Sequence, residues 1–120
     1  MKVGLTQFGV NRVVLKPEGA SALRHWHENE DEFVIVHKGE VVLVEDSGES
    51  VLRAGDCAGF KAGLPNGHHI INKSDEDAVL FEIGTRLSNE KGHYTQVDML
   101  FHRNDGVFSF TKRDGSPIED

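Results

Sequence analysis

Two histidines, His25 and His27, are two residues apart in a segment of the chain that is typical of a β-strand. Side chains alternate between the two faces of a strand, so both imidazoles point the same way and can bind one ligand. Glu32 follows after a short polar stretch and begins an apolar run, which indicates that the chain turns and brings a carboxylate back beside the histidines. Two imidazole nitrogens and a carboxylate oxygen are suitable ligands for a divalent transition metal.

A fourth ligand is expected further along, where a turn containing glycine and proline leads into another strand. Two adjacent histidines, His68 and His69, stand at this point, and only one of them can face the first pair. We predict that His68 is the ligand because it shares a strand face with Asn72, and His69 is the alternative. Asn72 is expected to orient a ligand imidazole without touching the metal.

The elements that must position these groups are short β-strands. Apolar runs alternate with turn residues every eight to twelve positions, and no long segment has helical spacing, so the sequence predicts an antiparallel sandwich or barrel. A polar loop is expected over residues 87–92. The predicted strands cover residues 6–15, 21–26, 32–37, 40–45, 50–53, 57–60, 67–72, 78–85, 94–102 and 107–112.

Composition limits the possible functions. The 120 residues suffice for one domain, and a net charge of −7 without a basic cluster argues against binding to nucleic acid or to an anionic membrane. No apolar run is long enough to span a membrane, and the N-terminus lacks a secretory signal. Together with the single cysteine, Cys57, these features favour a cytoplasmic location. Cys57 itself is expected to be a small buried residue.

The histidine and glutamate motifs described above resemble those of a known protein family. The chain is similar to small single-domain cupins of the cupin-2 type, among them bacterial proteins with a provisional label as sugar-phosphate isomerases. The first cupin motif is matched by Gly19, His25, His27, Glu32 and Gly39, and the end of the second motif by His68 and Asn72. The resemblance implies an all-β double-stranded β-helix, or jelly roll, with a metal inside the barrel. Residues 1–120 then form one domain, with a barrel core over about 4–86 and a C-terminal extension over 87–120.

The same alignment selects one carboxylate among several. Asp31 and Glu32 point to opposite faces of a strand, so only one of them can look inward. The resemblance assigns that position to Glu32. Glu28, Glu30 and Asp31 are therefore predicted to form a solvated loop.

Further residues are expected around the metal, although the sequence does not identify a general base. Two cationic candidates, Lys61 and Arg86, can hold an anionic substrate or can be solvated. The candidate pocket residues are Gln7, Phe60, Lys61, Glu82 and Arg86.

The chemistry that follows is that of a metal with exchangeable positions. We predict an enzyme that uses the metal as a Lewis acid on a small oxygen-rich molecule, such as a hydroxy-carbonyl compound or sugar derivative, in an isomerase-like reaction. A dioxygenase with a redox metal and a non-catalytic binding or sensory protein are the alternatives. Iron, manganese, nickel, copper and zinc all remain candidates. We also predict a homodimer, with residues 97–101 and 107–110 at its interface.

Overall fold

The computed structural model describes residues 4–118, which form β-strands joined by turns. Within this range no helix is long and apolar enough to cross a membrane. The strands are β1 (Phe8–Leu15), β2 (His25–His27), β3 (Glu32–Lys38), β4 (Glu40–Glu45), β5 (Gly48–Arg53), β6 (Cys57–Phe60), β7 (His69–Ile71), β8 (Ala78–Thr85), β9 (Glu90–Tyr94), β10 (Leu100–Asn104) and β11 (Val107–Thr111).

The strands pair antiparallel in three sheets, which confirms the predicted all-β architecture. The first sheet has the order β1-β8-β3-β6, the second β11-β10-β9-β2 and the third β5-β4-β7. The strand that carries two candidate ligands, β2, lies at the edge of the second sheet, while β3 lies inside the first. The candidate site therefore lies where two sheets meet.

Strand β3 shows how the residue pattern directs one candidate ligand inward. Val34 and Val36 are buried, whereas Phe33 on the opposite face is 38% exposed. Glu32 shares the face of the two valines, so it continues the inward row just beyond the apolar core. The buried core cluster consists of Leu15, Val34, Val36, Val41, Leu43, Leu52, Ile70, Ala78 and Leu80.

The C-terminal part differs from the prediction. The segment expected to be a polar loop, 87–92, contributes to strand β9, and the strand expected over 94–102 is divided between β9 and β10. Strand β9 is paired on both sides, with β2 and with β10. It lacks apolar alternation because its central residue, Gly92, leaves space for the ring of Phe101, which a Cβ at that position would overlap.

Two smaller predictions were wrong. Residues 21–24 form bends rather than a strand, so β2 has only three residues. Cys57 is exposed, because it lies on the edge strand β6 and faces outward. Its neighbours on the inward face, Ala58 and Phe60, pack against the core instead.

Candidate metal centre

The four predicted ligands lie on or beside three strands that belong to different sheets. His25 and His27 lie on β2, and Glu32 begins β3. His68 immediately precedes β7 and forms an isolated bridge with His25, in which their backbones exchange hydrogen bonds of 3.1 and 3.3 Å. This bridge ties the second histidine segment to the first, although the two are distant in sequence.

The side chains converge on a single carboxylate oxygen. Glu32 Oε1 lies 3.1 Å from His27 Nε2 and 3.1 Å from His68 Nε2. It lies 4.0 Å from His25 Nε2. The His25 ring centroid is 5.1 Å from that of His27 and 5.4 Å from that of His68. The same nitrogen of each ring thus faces the same point.

Backbone carbonyls fix the orientation of two of these rings. His25 Nδ1 lies 2.7 Å from the carbonyl oxygen of Leu23, and His68 Nδ1 lies 2.9 Å from that of Asn66. A carbonyl oxygen only accepts, so Nδ1 must donate and the Nε2 atom of the neutral ring presents a lone pair.

A carboxylate oxygen is also an acceptor, so either a proton on Nε2 or a cation between the groups must join each imidazole to Glu32. A divalent cation can accept an electron pair from each of these four atoms at once. Three imidazole nitrogens and one carboxylate oxygen match the ligands that transition metals prefer. The residues present therefore fit such an ion.

The far side of His27 is enclosed by two further carboxylates. His27 Nδ1 is buried and has no hydrogen-bond partner among the residues that the structure describes. Glu90 Oε2 lies 3.6 Å from it and Glu30 Oε1 lies 3.7 Å from it. A small rotation brings Nδ1–H into a hydrogen bond with either carboxylate, an arrangement that commonly orients metal-binding histidines.

Both carboxylates are buried and held by their own partners. Glu30, 6% exposed, accepts hydrogen bonds at Oε2 from the Leu87 backbone and from Arg103 Nη1, each 2.8 Å long. Glu90, 4% exposed, accepts hydrogen bonds from the backbone and side chain of Asn29. The assignment of Glu30 to a solvated loop was therefore wrong, because the C-terminal strands cover this segment.

The electrostatics of the cluster follow from this packing. Burial raises the pKa of Glu32, but hydrogen bonds and positive charge from His27 and His68 outweigh it and hold the pKa well below its usual range. Burial lowers the pKa of His25. For His27, burial alone would lower the pKa, yet the hydrogen bond with Glu32 and the charges of Glu32, Glu90 and Glu30 raise it overall.

The alternative ligand and the supporting amide lie elsewhere. His69 Nδ1 is hydrogen-bonded to the carbonyl oxygen of Ala22 at 2.7 Å, and no contact of His69 with Glu32 is found in the described range. Asn72 is fully buried, and its side-chain amide binds the carbonyl oxygens of Leu15 and Glu76. Asn72 thus secures the turn before β8 and does not orient a ligand imidazole, which corrects the prediction.

Three cavities open onto the cluster. The largest, about 230 Å³, is lined by His27, Glu32 and Glu82 and extends to two arginines, Arg86 and Arg103. A second cavity, of about 100 Å³, is lined by Glu82 and by His25, His68 and His69. The third, about 40 Å³, is a narrow opening beside Lys61.

The predicted pocket residues are distributed unevenly around these cavities. Phe60 stacks on His68 with ring centroids 3.6 Å apart and planes 2° from parallel, so it fixes that imidazole. Glu82 lines two cavities, and burial together with the charge of Glu32 raises its pKa. Gln7 is exposed and lines none of these three cavities, so its place in the pocket stays a prediction.

Sequence reasoning missed Glu90 and Arg103, which lie 63 and 76 residues after His27. Neither residue lies in a recognisable motif. The sequence offered only a weak signal for them. Glu90 and Arg103 are charged residues at the two ends of the segment 90–103, which contains Gly92 and aromatic side chains. Only the pairing of β9 with β2 reveals that these groups reach the site.

Comparison with known proteins identifies relatives of this arrangement. A family model described as the cupin domain matches residues 11–84. A sugar phosphate isomerase of the cupin superfamily from Silicibacter pomeroyi is 47% identical, with a TM-score of 0.94 over 97% of this chain and 74% of that chain. A protein provisionally assigned as a sugar phosphate isomerase from Acidithiobacillus ferrooxidans is 26% identical, with a TM-score of 0.88 over 98% of this chain and 75% of that chain.

More distant structures share the fold. One from Thermotoga maritima, predicted to be an oxalate decarboxylase, is 26% identical, with a TM-score of 0.58 over 65% of each chain. A comparison with curated proteins gave no match. These likenesses confirm the predicted jelly roll and the resemblance noted from the sequence motifs.

Proposed function

Because the chain belongs to the cupin family, we propose that it is a metal-dependent enzyme that acts on a small hydroxy-carbonyl compound of the sugar class, in an isomerase-like reaction. The observation that carries this proposal is the convergence of three Nε2 atoms on Glu32 Oε1. The name of the Silicibacter pomeroyi protein supports the substrate class.

A divalent cation bound there would supply Lewis acidity toward a carbonyl or hydroxyl oxygen of the substrate. His25, His27, Glu32 and His68 are the residues that would hold it. Iron, manganese, nickel, copper and zinc all suit this ligand set.

The chain itself contributes a group for proton transfer. Isomerisation of a hydroxy-carbonyl compound requires a base that removes a proton from carbon and returns it to the neighbouring carbon. Glu82 lines both larger cavities beside Glu32, and no ion pair of its side chain is found in the described range. Glu30 and Asp31 also line the 230 Å³ cavity, but their carboxylates accept hydrogen bonds from the Leu87 and Ala62 backbones. We assign the role to Glu82 because it lines both larger cavities.

The test compares the protein purified without added metal with its His27→Ala variant. We expect elemental analysis to find about one equivalent of a transition metal in the unaltered protein and far less in the variant. The control is His37→Ala, which changes an exposed histidine on β3. Equal metal contents in all three proteins would contradict the proposal.

A substrate panel then addresses the reaction. Aldose–ketose interconversion, followed by NMR in deuterated water, is expected to incorporate deuterium at the carbon beside the carbonyl, and Glu82→Gln is expected to abolish this exchange while retaining the metal. Oxygen consumption with oxidative cleavage would favour the dioxygenase instead. Binding without turnover would favour the non-catalytic alternative.

A further inference from the structure

We propose that Arg86 and Arg103 form a phosphate-binding subsite at the far end of the 230 Å³ cavity, so that the substrate of the proposed enzyme is a phosphomonoester. This inference rests on the proposed function because it specifies the substrate class of the same site. Its evidence is nevertheless separate, since it concerns the opposite end of the cavity from the ligands.

The floor of the cavity crosses three strands and includes two glycines. Glu32 on β3 pairs with Gly84 on β8, and Gly84 pairs with Gly9 on β1. Residues in register on neighbouring strands point to the same face, so no side chain of Gly84 or Gly9 stands between the Glu32 carboxylate and the β1 end of the row. The cavity therefore runs across the sheet, from the candidate metal centre toward β1.

Arg86 lies at the β1 end of this row. Its guanidinium rests against Gly9, where an added Cβ would lie 2.6 Å from Arg86 Nη2. Two strand spacings separate Gly9 from Glu32, about 10 Å in total. This separation suits a ligand whose anionic group lies several bonds away from the oxygens that meet the metal.

Arg103 is fixed next to it by three contacts. Its Nη1 donates to Glu30 Oε2 and to the Leu87 carbonyl oxygen, both at 2.8 Å, and its guanidinium carbon lies 4.8 Å from the centroid of the Phe108 ring. Both hydrogen bonds that the structure gives this side chain use Nη1, so Nη2 and Nε remain to bind a ligand. A rigid guanidinium with unused donors is well suited to phosphate.

The cavity is lined by four carboxylates, including Asp31 and Glu82, and by two arginines. Glu32 faces the histidines, and the charge of Glu30 is compensated by Arg103. Arg86 has no acidic partner among the ion pairs of the described residues. Both arginines also line a wider cleft of about 640 Å³ with Thr6 and Ser88, through which an anion can enter.

The test measures binding of inorganic phosphate by calorimetry at fixed ionic strength. We expect Arg86→Gln to weaken binding by about tenfold or more, the effect of losing one hydrogen bond to a charged group. The matched control is Arg12→Gln on β1, an exposed arginine that lines none of the four cavities described above. Acetate is expected to bind at least tenfold more weakly than phosphate, because it offers fewer acceptor oxygens.

Two results would overturn the inference. One is equal phosphate affinity of the unaltered protein and Arg86→Gln, or an equal loss in Arg12→Gln. The other is equal binding of acetate and phosphate, which would make the site a general anion site. Metal analysis of the same samples separates this failure from that of the proposed function, because Arg86→Gln is expected to retain its metal, and phosphate is expected to bind His27→Ala as well.

Discussion

At the scale of single residues, the site depends on how His27 is held on both sides. Its Nε2 faces Glu32 Oε1 at 3.1 Å, and its Nδ1 lies 3.6 Å from Glu90 Oε2. An imidazole whose Nδ1–H is directed at a carboxylate is both oriented and more basic, so it binds a metal more strongly. The two buried carboxylates would therefore act on a bound metal through His27.

Removal of one of these charges should weaken metal binding without removing a ligand. We predict that Glu90→Gln lowers metal affinity by about 10-fold to 100-fold, the usual effect of losing such a partner. Competition with a chromophoric chelator measures the change. Glu49→Gln, an exposed carboxylate on β5, is the control. An affinity of Glu90→Gln equal to that of the control would show that Glu90 does not support His27.

The raised pKa of His27 has a consequence for pH dependence. Folding favours the protonated imidazole, so in the metal-free protein its contribution to stability is fully present below the ordinary pKa of 6.5 and is lost as pH rises through the higher folded value. Because a metal must displace this proton, we expect metal affinity to fall as pH decreases through the same range.

NMR titration of metal-free protein checks this directly. The His27 ring is expected to titrate with a midpoint above 6.5, and Glu90→Gln is expected to lower that midpoint because it removes one of the charges responsible. A midpoint below 6.5 in the unaltered protein would contradict the account.

At the scale of elements, the candidate site joins a short edge strand to the C-terminal strands. β2 has three residues and pairs only with β9 among the named strands, in the register His25 with Tyr94 and His27 with Gly92. Gly92 leaves room for the Phe101 ring, whose centroid lies 5.3 Å from that of His27. Thus β9 and β10 determine where the imidazole lies.

A methyl group at position 92 should disturb this packing. We predict that Gly92→Ala destabilises the fold by about 1–3 kcal/mol, because its Cβ overlaps the Phe101 ring and the ring must move. Thermal and urea unfolding measure the loss. Gly59→Ala on β6 is the control, since its Cβ would meet only the Glu32 carbonyl oxygen, at 3.9 Å. If the two variants are equally stable, Phe101 does not constrain position 92.

The strands differ in how well they could be predicted from the sequence. The strands from β3 to β8 were predictable because their apolar residues alternate or form short runs bounded by turns, and the spacing of His25, His27 and Glu32 is local. Strand β9 was not predictable, because its residues are determined by partners on both sides rather than by an apolar face. The contribution of Glu90 depends on that pairing and is therefore invisible in a local pattern.

At the scale of the whole molecule, the predicted homodimer stays a prediction. Strand β11 ends a sheet and carries exposed apolar side chains, with Val107 68% and Phe110 49% exposed. An exposed apolar edge strand favours pairing with another chain. A second copy of this chain is the partner that the prediction names.

Charged side chains on β11 should prevent such pairing. We predict that the double variant Val107→Glu and Phe110→Glu is a monomer in light scattering at concentrations where the unaltered protein is a dimer. Val51→Glu, which changes an apolar residue of β5 that is 47% exposed, is expected to leave the dimer intact. A monomeric unaltered protein would contradict the prediction of a homodimer.

The central claim is that one cation is shared by three imidazoles and one carboxylate. Anomalous diffraction from crystals grown with a transition metal tests it most directly. The account predicts one strong peak within bonding distance of the Nε2 atoms of His25, His27 and His68 and of Glu32 Oε1. A peak only elsewhere, or none at full metal concentration, would contradict it.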